Sequence, residues 1–322
     1  MRKNILAMWP FIFLFLLCSC NNEFKPIDFP DNNQQQGQGE DSQEEQEEET
    51  EGETGGEETG EEQGEEEEGE ETETEGSIIE WQNWYLSVPL DNGQGKATSI
   101  FYQDIVNDNL STEAKEYFYQ NEDGTYTMFT RFTGFTTSGP AGLGDRYCRT
   151  ELREFWRGNQ TTQDNWFMDE GTHILETTLN VDFVEGNGRT IVAQIHGKES
   201  DGIDGSPATV KIRWNSGMIQ VDHYVKPDEG EPWTSAFDTK FNIGQVDNEI
   251  FTFKLKVEDG KCYYALFCEA KGINIDYTLM YDYVGNGYRH WNYFKTGNYF
   301  GWHDDYEKTA QVTLRKVVTQ HY

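Results

Sequence analysis

The stretch Ile250–Phe267, IFTFKLKVEDGKCYYALF, indicates the fold class of this 322-residue chain. Both halves are rich in β-branched and aromatic side chains, and in the first half polar and apolar residues alternate. Between them lies Glu258-Asp259-Gly260, and an Asp-Gly pair favours the tight turns that join antiparallel strands. The stretch therefore predicts a β-hairpin.

The rest of the chain from Trp81 onward repeats this pattern of short strands and turn residues. Glycine-containing turn signals separate the runs, and helical periodicity is confined to one short segment, LSTEAKEYFYQ at 110–120. Many strands with almost no helix predict an all-β, two-sheet β-sandwich of the jelly-roll kind. The predicted strands cover residues 84–90, 125–132, 173–181, 190–197, 209–214, 218–225, 250–257, 261–267 and 310–319.

The first 77 residues predict that the protein is exported and that its folded domain is tethered to a membrane. Residues 1–19 have a basic start and an apolar run, as in a secretory signal peptide, and the ending Leu17-Cys18-Ser19-Cys20 resembles a bacterial lipobox. The resemblance implies lipidation of Cys20 and an anchor in the outer membrane of a Gram-negative bacterium. Residues 20–77 then form a linker that we expect to be disordered, because 40–75 hold 21 acidic residues and almost nothing apolar.

Charge and cysteine content argue against one class of partner and against a disulfide framework in the remaining domain, residues 78–322. Residues 1–76 hold 24 of the 59 acidic residues and 3 of the 25 basic ones, a net charge of −21. The net charge of the remainder is therefore −13 of the total −34, which argues against nucleic acid as a partner. The three cysteines of the domain, Cys148, Cys262 and Cys268, receive no role, since an odd number argues against a disulfide framework.

Three predicted strands each carry polar side chains at two-residue spacing, which places them on one face of a sheet. The first, RTELR, presents Arg149, Glu151 and Arg153, with Thr150 and Leu152 on the other face. The second, AQIHG, presents Gln194 and His196, and Lys198 continues the same parity. The third, YFKTGNY, presents Tyr293, Lys295 and Tyr299, with Gly297 leaving room between them.

Cations and a neutral amide suit a bound carboxylate, while an imidazole and a phenol suit proton transfer. A uronic acid polymer would use both sets of groups, because each of its sugars has a carboxylate next to the C5 proton. Pairing its carboxylate with arginine and glutamine would make the C5 proton removable, and a second group would protonate the leaving glycosidic oxygen. That reaction is a β-elimination and needs no metal or other cofactor. A solvent-exposed charged strand is the ordinary explanation for any one of the three patterns, but the three occur together.

The three segments resemble the signature of polysaccharide lyase family 7, the alginate lyases. That family has R-(S/T)-E-L-R, Q-(I/V)-H and Y-F-K-A-G-x-Y-x-Q segments, which match Arg149–Arg153, Gln194–His196 and Tyr293–Tyr299 in order. Thr296 replaces the usual alanine, and Gly301 stands where the family has glutamine. The resemblance implies a concanavalin-like jelly-roll β-sandwich whose concave face forms the substrate groove.

The resemblance also implies residue roles. Arg149 and Gln194 would neutralise the substrate carboxylate, and His196 would be the base for guluronate. Tyr299 would be the acid, and both base and acid for mannuronate. Glu151 would orient the arginines rather than do chemistry, and Ile195 is associated with guluronate-containing blocks. The further substrate-binding residues would be Arg153, Lys198, Tyr293 and Lys295.

The sequence thus predicts a monomeric, lipid-anchored lyase acting on alginate. Three alternatives remain open: a lyase for another polyuronate such as a glucuronan, a non-catalytic lipoprotein that binds acidic glycans, and a glycoside hydrolase on a similar sandwich. The hydrolase would need a pair of carboxylates, of which Glu151 is the available member.

Overall fold

The structure is a computed structural model that describes residues 78–198, 206–233 and 237–322, with the side chains of 237 and 238 left out. The predicted signal peptide, the predicted lipidation site Cys20 and the predicted acidic linker lie outside the described residues. No helix in the described part is long and apolar enough to cross a membrane.

The regular secondary structure of the described chain is almost entirely antiparallel strand, as predicted. Their bounds are β1 (Ile78–Ile79), β2 (Trp84–Asp91), β3 (Ala97–Phe101), β4 (Phe118–Gln120), β5 (Tyr126–Arg131), β6 (Phe135–Thr136), β7 (Gly139–Pro140), β8 (Arg149–Glu154), β9 (Trp166–Phe167), β10 (Thr172–Val184), β11 (Arg189–Gly197), β12 (Val210–Asn215), β13 (Met218–Val225), β14 (Phe237–Gln245), β15 (Phe251–Glu258), β16 (Lys261–Cys268), β17 (Ile273–Asp282), β18 (Trp291–Phe300) and β19 (Thr309–His321). An α-helix, α1, covers Tyr102–Val106, and short 3-10 turns cover Trp81–Asn83, Ala114–Glu116 and Glu269–Lys271.

Two sheets pack face to face. The first has the strand order β17-β16-β15-β10-β19-β5-β4, and the second has the order β14-β13-β12-β11-β18-β8-β2-β3. Strand β1 joins β19 in parallel, β9 pairs with β18, and β6 with β7 forms a separate hairpin. The core between the sheets contains fully buried apolar side chains from both, for example Leu175 and Phe253 of the first and Ile195, Ile212 and Phe294 of the second. This architecture confirms the predicted jelly-roll sandwich.

The hairpin at 251–268 forms as predicted. Glu258 pairs with Lys261, so Asp259 and Gly260 alone make the turn. Both have positive φ, 51° and 73°, which is the geometry of a type I′ turn. A side chain at position 260 would also collide with Val284, because an added Cβ would lie 2.1 Å from its Cγ2.

The helix predicted over 110–120 is wrong. The segment contains a 3-10 turn at Ala114–Glu116 and then strand β4, which pairs with β5. Phe118 is buried, stacks on Tyr126 at 5.2 Å and meets Trp81 edge-on at 5.8 Å. Strand pairing and this aromatic packing outweigh the local helical preference of the alanine, lysine and glutamate residues.

Polar contacts also cross the sandwich beneath β18. Asn298 is fully buried, and its Nδ2 donates to the carbonyl oxygens of Met128 and Ala310, both at 2.9 Å. Thr296 Oγ1 lies 3.1 Å from Thr177 Oγ1 of β10. These hydrogen bonds fix the position of β18 against the first sheet and so help to define the side chains that β18 presents on its other face.

Candidate active site

The three polar strands of the sequence analysis are neighbours in the second sheet, in the order β11-β18-β8. Lys295 lies opposite both Gln194 of β11 and Arg153 of β8, and Tyr299 lies opposite Arg149. Directly paired residues of antiparallel strands point to the same face. The predicted residues of these strands therefore share the face of the second sheet that points away from the core, which we call the site face.

Glu151 is the centre of this group. Its side chain is 1% exposed, and Arg149 Nη1 donates to Oε2 at 2.9 Å. Lys295 Nζ also contacts Oε2, and Gln194 Nε2 donates to Oε1. Burial would raise the pKa of Glu151, but the charges of Lys295 and Arg149 lower it below its usual value. Glu151 therefore stays a carboxylate and positions two cations and an amide.

Glu151 was expected to orient both arginines, but the structure pairs it with Arg149 only. The guanidinium of Arg153 contacts the Glu154 carbonyl, the Asn165 side chain and, at 3.1 Å, the Thr162 carbonyl. Arg153 also lies over the Tyr293 ring, with Cζ 4.1 Å from the ring centroid. These contacts make Arg153 a support for Tyr293, while its predicted contact with substrate stays a prediction.

Arg149 connects the group to Tyr299. Its guanidinium carbon lies 3.6 Å from the centroid of the Tyr299 ring, in cation–π geometry. Its Nε is buried without a hydrogen-bond partner. The side chain is 10% exposed, so an anion that reaches it would meet a cation already stripped of most of its water.

The hydrogen bonds of His196 determine which ring nitrogen is free. Nδ1 lies 2.9 Å from the Gly197 carbonyl oxygen and 3.2 Å from Tyr293 Oη. A carbonyl oxygen only accepts, so Nδ1 carries the proton and Nε2 has the lone pair. Burial, followed by the charge of Lys295, lowers the pKa of His196 to about 3. The imidazole is thus neutral at neutral pH and able to accept a proton at Nε2.

The two predicted lysines differ in their placement, because Lys295 contacts Glu151 whereas Lys198 lies beyond the end of β11. Burial and then the Arg149 charge lower the pKa of Lys295 to about 8, so its ammonium is mostly charged at neutral pH. Lys198 follows the end of β11, where its backbone N–H donates to the Trp291 carbonyl at 2.7 Å. Within residues 78–198, 206–233 and 237–322, the side chains that contact Glu151 are Arg149, Gln194 and Lys295, so Lys198 stands outside this group. The predicted role of Lys198 in substrate binding stays a prediction.

Gly297 allows β18 to approach β8. Its φ is 140°, and an added Cβ would lie 2.8 Å from the Thr150 carbonyl oxygen and 3.0 Å from Glu151 Cα. A side chain at this position would push the strands apart at the level of Glu151. Glycine is therefore required for the strand pairing, in addition to the space that it leaves between Lys295 and Tyr299.

An aromatic pair beside Tyr299 was not predicted from the sequence. The Tyr147 ring meets the Tyr299 ring edge-on at 6.0 Å and stacks on His303 at 4.5 Å. The imidazole of His303 is held by Asp304, with Nδ1 2.8 Å from Oδ1. Tyr147 has the same parity as Arg149 in the sequence and could have been found from that spacing, whereas His303 follows the strand in a loop and gave no such signal.

A second missed residue, Glu154, lies behind the site face. Its carboxylate is fully buried and accepts from Trp166 Nε1 at 3.0 Å and from the Phe294 backbone N–H at 2.9 Å. Its other oxygen lies 3.0 Å from His321 Nε2 of β19. One carboxylate thus joins the ends of β8 and β18 to the first sheet. The sequence did contain a signal, because Glu154 alternates in step with Thr150 and Leu152 and therefore points toward the core.

Residues 78–198, 206–233 and 237–322 contain no group of three or more His, Cys, Asp or Glu side chains that could hold a metal ion. The three cysteines of these ranges are free and buried. The site face presents the guanidinium, amide, imidazole, phenol and ammonium groups described above.

A β-sandwich that presents these groups around a buried carboxylate defines a carbohydrate-active protein suited to an acidic sugar. The family model described as alginate lyase matches residues 79–321. The chain therefore belongs to the alginate lyase family.

Solved structures show the same fold. The alginate lyase A1-II′ of polysaccharide lyase family 7 is 24% identical, with 76% of this chain and 96% of that chain covered and a TM-score of 0.58. The alginate lyase from Klebsiella pneumoniae is 19% identical over 76% of this chain and 97% of that one, with a TM-score of 0.59. The alginate lyase from Pseudomonas aeruginosa is 20% identical over 76% and 100%, with a TM-score of 0.56. No protein of curated function is significantly similar to this chain in sequence.

Proposed function

We propose that this protein cleaves alginate by β-elimination at the site face. The observation that carries the proposal is the convergence of Arg149, Gln194, His196 and Tyr299 on neighbouring strands around Glu151. Membership of the alginate lyase family supports alginate as the substrate. A variant of the A1-II′ lyase has been crystallised with substrate and another with product.

The mechanism begins with the substrate carboxylate. Arg149 and Gln194 would bind it, so that the charge which develops when the C5 proton leaves is spread over an already neutralised group. Glu151 holds both side chains in position and, because its oxygens are occupied by Arg149, Lys295 and Gln194, it is not placed to attack the sugar. This arrangement favours a lyase over a hydrolase, which needs two available carboxyl groups.

Two proton transfers complete the reaction. For guluronate, His196 Nε2 would accept the C5 proton, and the electrons of the broken C–H bond would form a double bond between C4 and C5. The bond from C4 to the glycosidic oxygen would break, and the Tyr299 phenol would give its proton to the leaving oxygen. For mannuronate, where the proton and the leaving group are on the same side, Tyr299 would do both. Lys295 would bind a uronate carboxylate as a point charge.

The product's double bond supplies the test. Purified protein mixed with alginate at neutral pH is expected to give a steady rise in ultraviolet absorbance from the conjugated C4=C5 ends. The rate should fall as the pH rises through about 8, because Lys295 then loses the proton that makes it a cation. Reducing ends that appear without the chromophore would identify a hydrolase instead. Binding without either product would identify a glycan-binding protein.

We also propose that the lyase is a monomer anchored in the outer membrane by a lipid on Cys20. The motivation is the lipobox-like Leu17–Cys20 and the acidic stretch that follows it. In cells expressing the full chain, a fatty acid label should enter the natural protein and lyase activity should sediment with the membranes. Cys20→Ala should lose the label and release the activity. A labelled Cys20→Ala protein would contradict the assignment.

A further inference from the structure

The pairing of β8 with β18 ends inside the candidate active site, at Arg153 and Lys295. The next residue of β8 is Glu154, and its carboxylate oxygen Oε2 accepts the backbone N–H of Phe294 on β18 at 2.9 Å. The carboxylate thus continues the contact between the two strands beyond their last pair. Phe294 lies between Tyr293 and Lys295, so this hydrogen bond helps to fix where both side chains leave the backbone.

The other oxygen of Glu154 faces a pair of imidazoles. Oε1 lies 3.0 Å from His321 Nε2, and His321 Nδ1 lies 2.8 Å from His173 Nδ1. His173 Nε2 contacts the carbonyl oxygen of Glu170. The Trp166 ring stacks on His173 at 4.4 Å, and both Glu154 and His173 are buried. Three ionisable groups that the proposed mechanism does not use therefore form one chain of contacts behind the site face.

The directions of these hydrogen bonds determine how many protons the chain of contacts holds. A carbonyl oxygen only accepts, so His173 Nε2 carries a proton and the lone pair of the neutral ring is on Nδ1. Burial, followed by the charge of His321, lowers the pKa of His173 to about 4, so this ring is neutral at neutral pH. His321 Nδ1 must then donate to it. The contact between His321 Nε2 and Glu154 needs a further proton.

That further proton belongs to His321. In water an imidazole binds a proton more tightly than a glutamate carboxylate does, by about two pH units. Glu154 Oε2 also accepts two N–H groups, from Trp166 Nε1 at 3.0 Å and from Phe294, and such bonds favour the ionised carboxylate. The contacts therefore describe an imidazolium at His321 that is paired with a carboxylate at Glu154.

We propose that Glu154 is a positioning residue for the lyase reaction, which holds the segment of β18 that carries Tyr293 and Lys295 and is itself held by an imidazolium at His321. The proposal rests on the proposed function, because it assumes that these two side chains serve catalysis. A misplacement of about 1 Å in an active site can lower the rate about a hundredfold. The reach of the Glu154 side chain to Phe294 is thus expected to matter more than its charge.

Two substitutions separate reach from charge. Glu154→Gln keeps the reach, because the amide oxygen can accept from Phe294 while the amide nitrogen donates to Nε2 of a neutral His321. Glu154→Asp keeps the charge, but its side chain is one methylene shorter and cannot span from Phe294 to His321. Glu154→Gln should keep kcat within about threefold of the natural value, and Glu154→Asp should lower kcat about tenfold or more.

Nitrogen NMR of histidine-labelled full-length protein reads the ion pair directly. The chain has six histidines, so the spectrum is sparse, and the signals of His321 are those that His321→Gln removes. At about pH 7.5, where a histidine of an unfolded chain is mostly neutral, both ring nitrogens of His321 should be protonated. In Glu154→Gln only Nδ1 should be.

The same spectra report the position of Tyr293, because its Oη lies 3.2 Å from His196 Nδ1. The His196 signals should shift in Glu154→Asp and stay in place in Glu154→Gln, a difference that lower stability alone would not produce. Glu176→Asp is the matched control, since it shortens a 23% exposed glutamate on the first sheet. It should change neither kcat nor the His196 signals.

A neutral His321 in the natural protein would overturn the ion pair. Natural kcat in Glu154→Asp, or a loss of tenfold or more in Glu154→Gln, would overturn the positioning role, and the second result decides alone if Glu154→Asp fails to fold. A natural protein that shows the His321 imidazolium but does not cleave alginate would overturn the proposed function and leave the ion pair standing.

Discussion

Tyr299→Phe is expected to lower kcat on alginate by about a thousandfold, within the range found for loss of a general acid. The change removes one oxygen and keeps the ring, so the guanidinium of Arg149 can still lie over it as in the natural protein, where Cζ is 3.6 Å from the centroid. The binding groups on β8 and β11 also remain. The loss should therefore appear in kcat, with an affinity for substrate within a few-fold of the natural value.

Tyr293→Phe is the matched control, because Tyr293 is the other phenol of the site on the same strand. Its Oη lies 3.2 Å from His196 Nδ1, on the side of the ring away from the basic nitrogen. Removing that oxygen should cost tenfold or less. A Tyr299→Phe enzyme that keeps a tenth of its activity, or a Tyr293→Phe enzyme that loses as much as Tyr299→Phe, would contradict the assignment of the acid.

Glu151→Gln is expected to lower both stability and activity. Arg149 and Lys295 would stay buried without the carboxylate that compensates them, and the new amide would place N–H donors where those cations need an acceptor. Breaking a buried ion pair from one side costs about 3–5 kcal/mol in the free energy of unfolding. We also expect kcat/KM to fall by at least a hundredfold, since Arg149 and Gln194 lose their common partner.

The measurement is urea unfolding, and the control variant is Glu176→Gln. Glu176 is also a carboxylate that contacts two lysines. Lys254 and Lys316 lie 2.7 Å from the Glu176 oxygens, but this group is on the first sheet and 23% exposed. Water screens these ion pairs, so Glu176→Gln should lower the free energy of unfolding by about 1 kcal/mol or less and leave lyase activity unchanged. Equal unfolding midpoints for natural and Glu151→Gln protein would show that Glu151 is not the structural centre of the site.

Much of the fold could be predicted because its signals are local. The alternation of side chains within each strand and the turn residues between strands gave nine strands whose ends agree with the structure to within three residues. The turn at Asp259-Gly260 and the common face of Arg149, Glu151 and Arg153 follow from the same local periodicity.

The errors arise where distant parts of the chain decide the structure. Strands β3, β14 and β17 were not predicted, and each lies at the edge of a sheet, where one side has no partner and burial no longer alternates clearly. In β17 every residue is exposed or half-buried. Its sequence nevertheless alternates apolar and polar residues from Ile273 to Leu279, so this strand had a local signal that was missed. The helix predicted at 110–120 failed because a distant strand decides the structure there, since pairing with β5 fixes Phe118 in a strand.

The candidate site was predictable to the extent that its residues alternate along strands. The sequence placed Arg149, Gln194, His196, Lys295 and Tyr299 on strands but could not say which strands are neighbours. It also could not show that Glu151 contacts Lys295 and Gln194, or that Glu154 joins β8 and β18 to His321. Those contacts join residues more than forty positions apart, and only the order of strands in the sheet brings them together.

The most direct measurement is a crystal structure of the Tyr299→Phe protein with an alginate oligosaccharide bound. We expect one uronate carboxylate within hydrogen-bond distance of both Arg149 and Gln194. C5 of that sugar should face His196 Nε2, and its glycosidic oxygen should lie beside the ring at position 299. An oligosaccharide bound elsewhere on the sandwich, or one on the site face whose carboxylates avoid Arg149 and Gln194, would contradict this expectation.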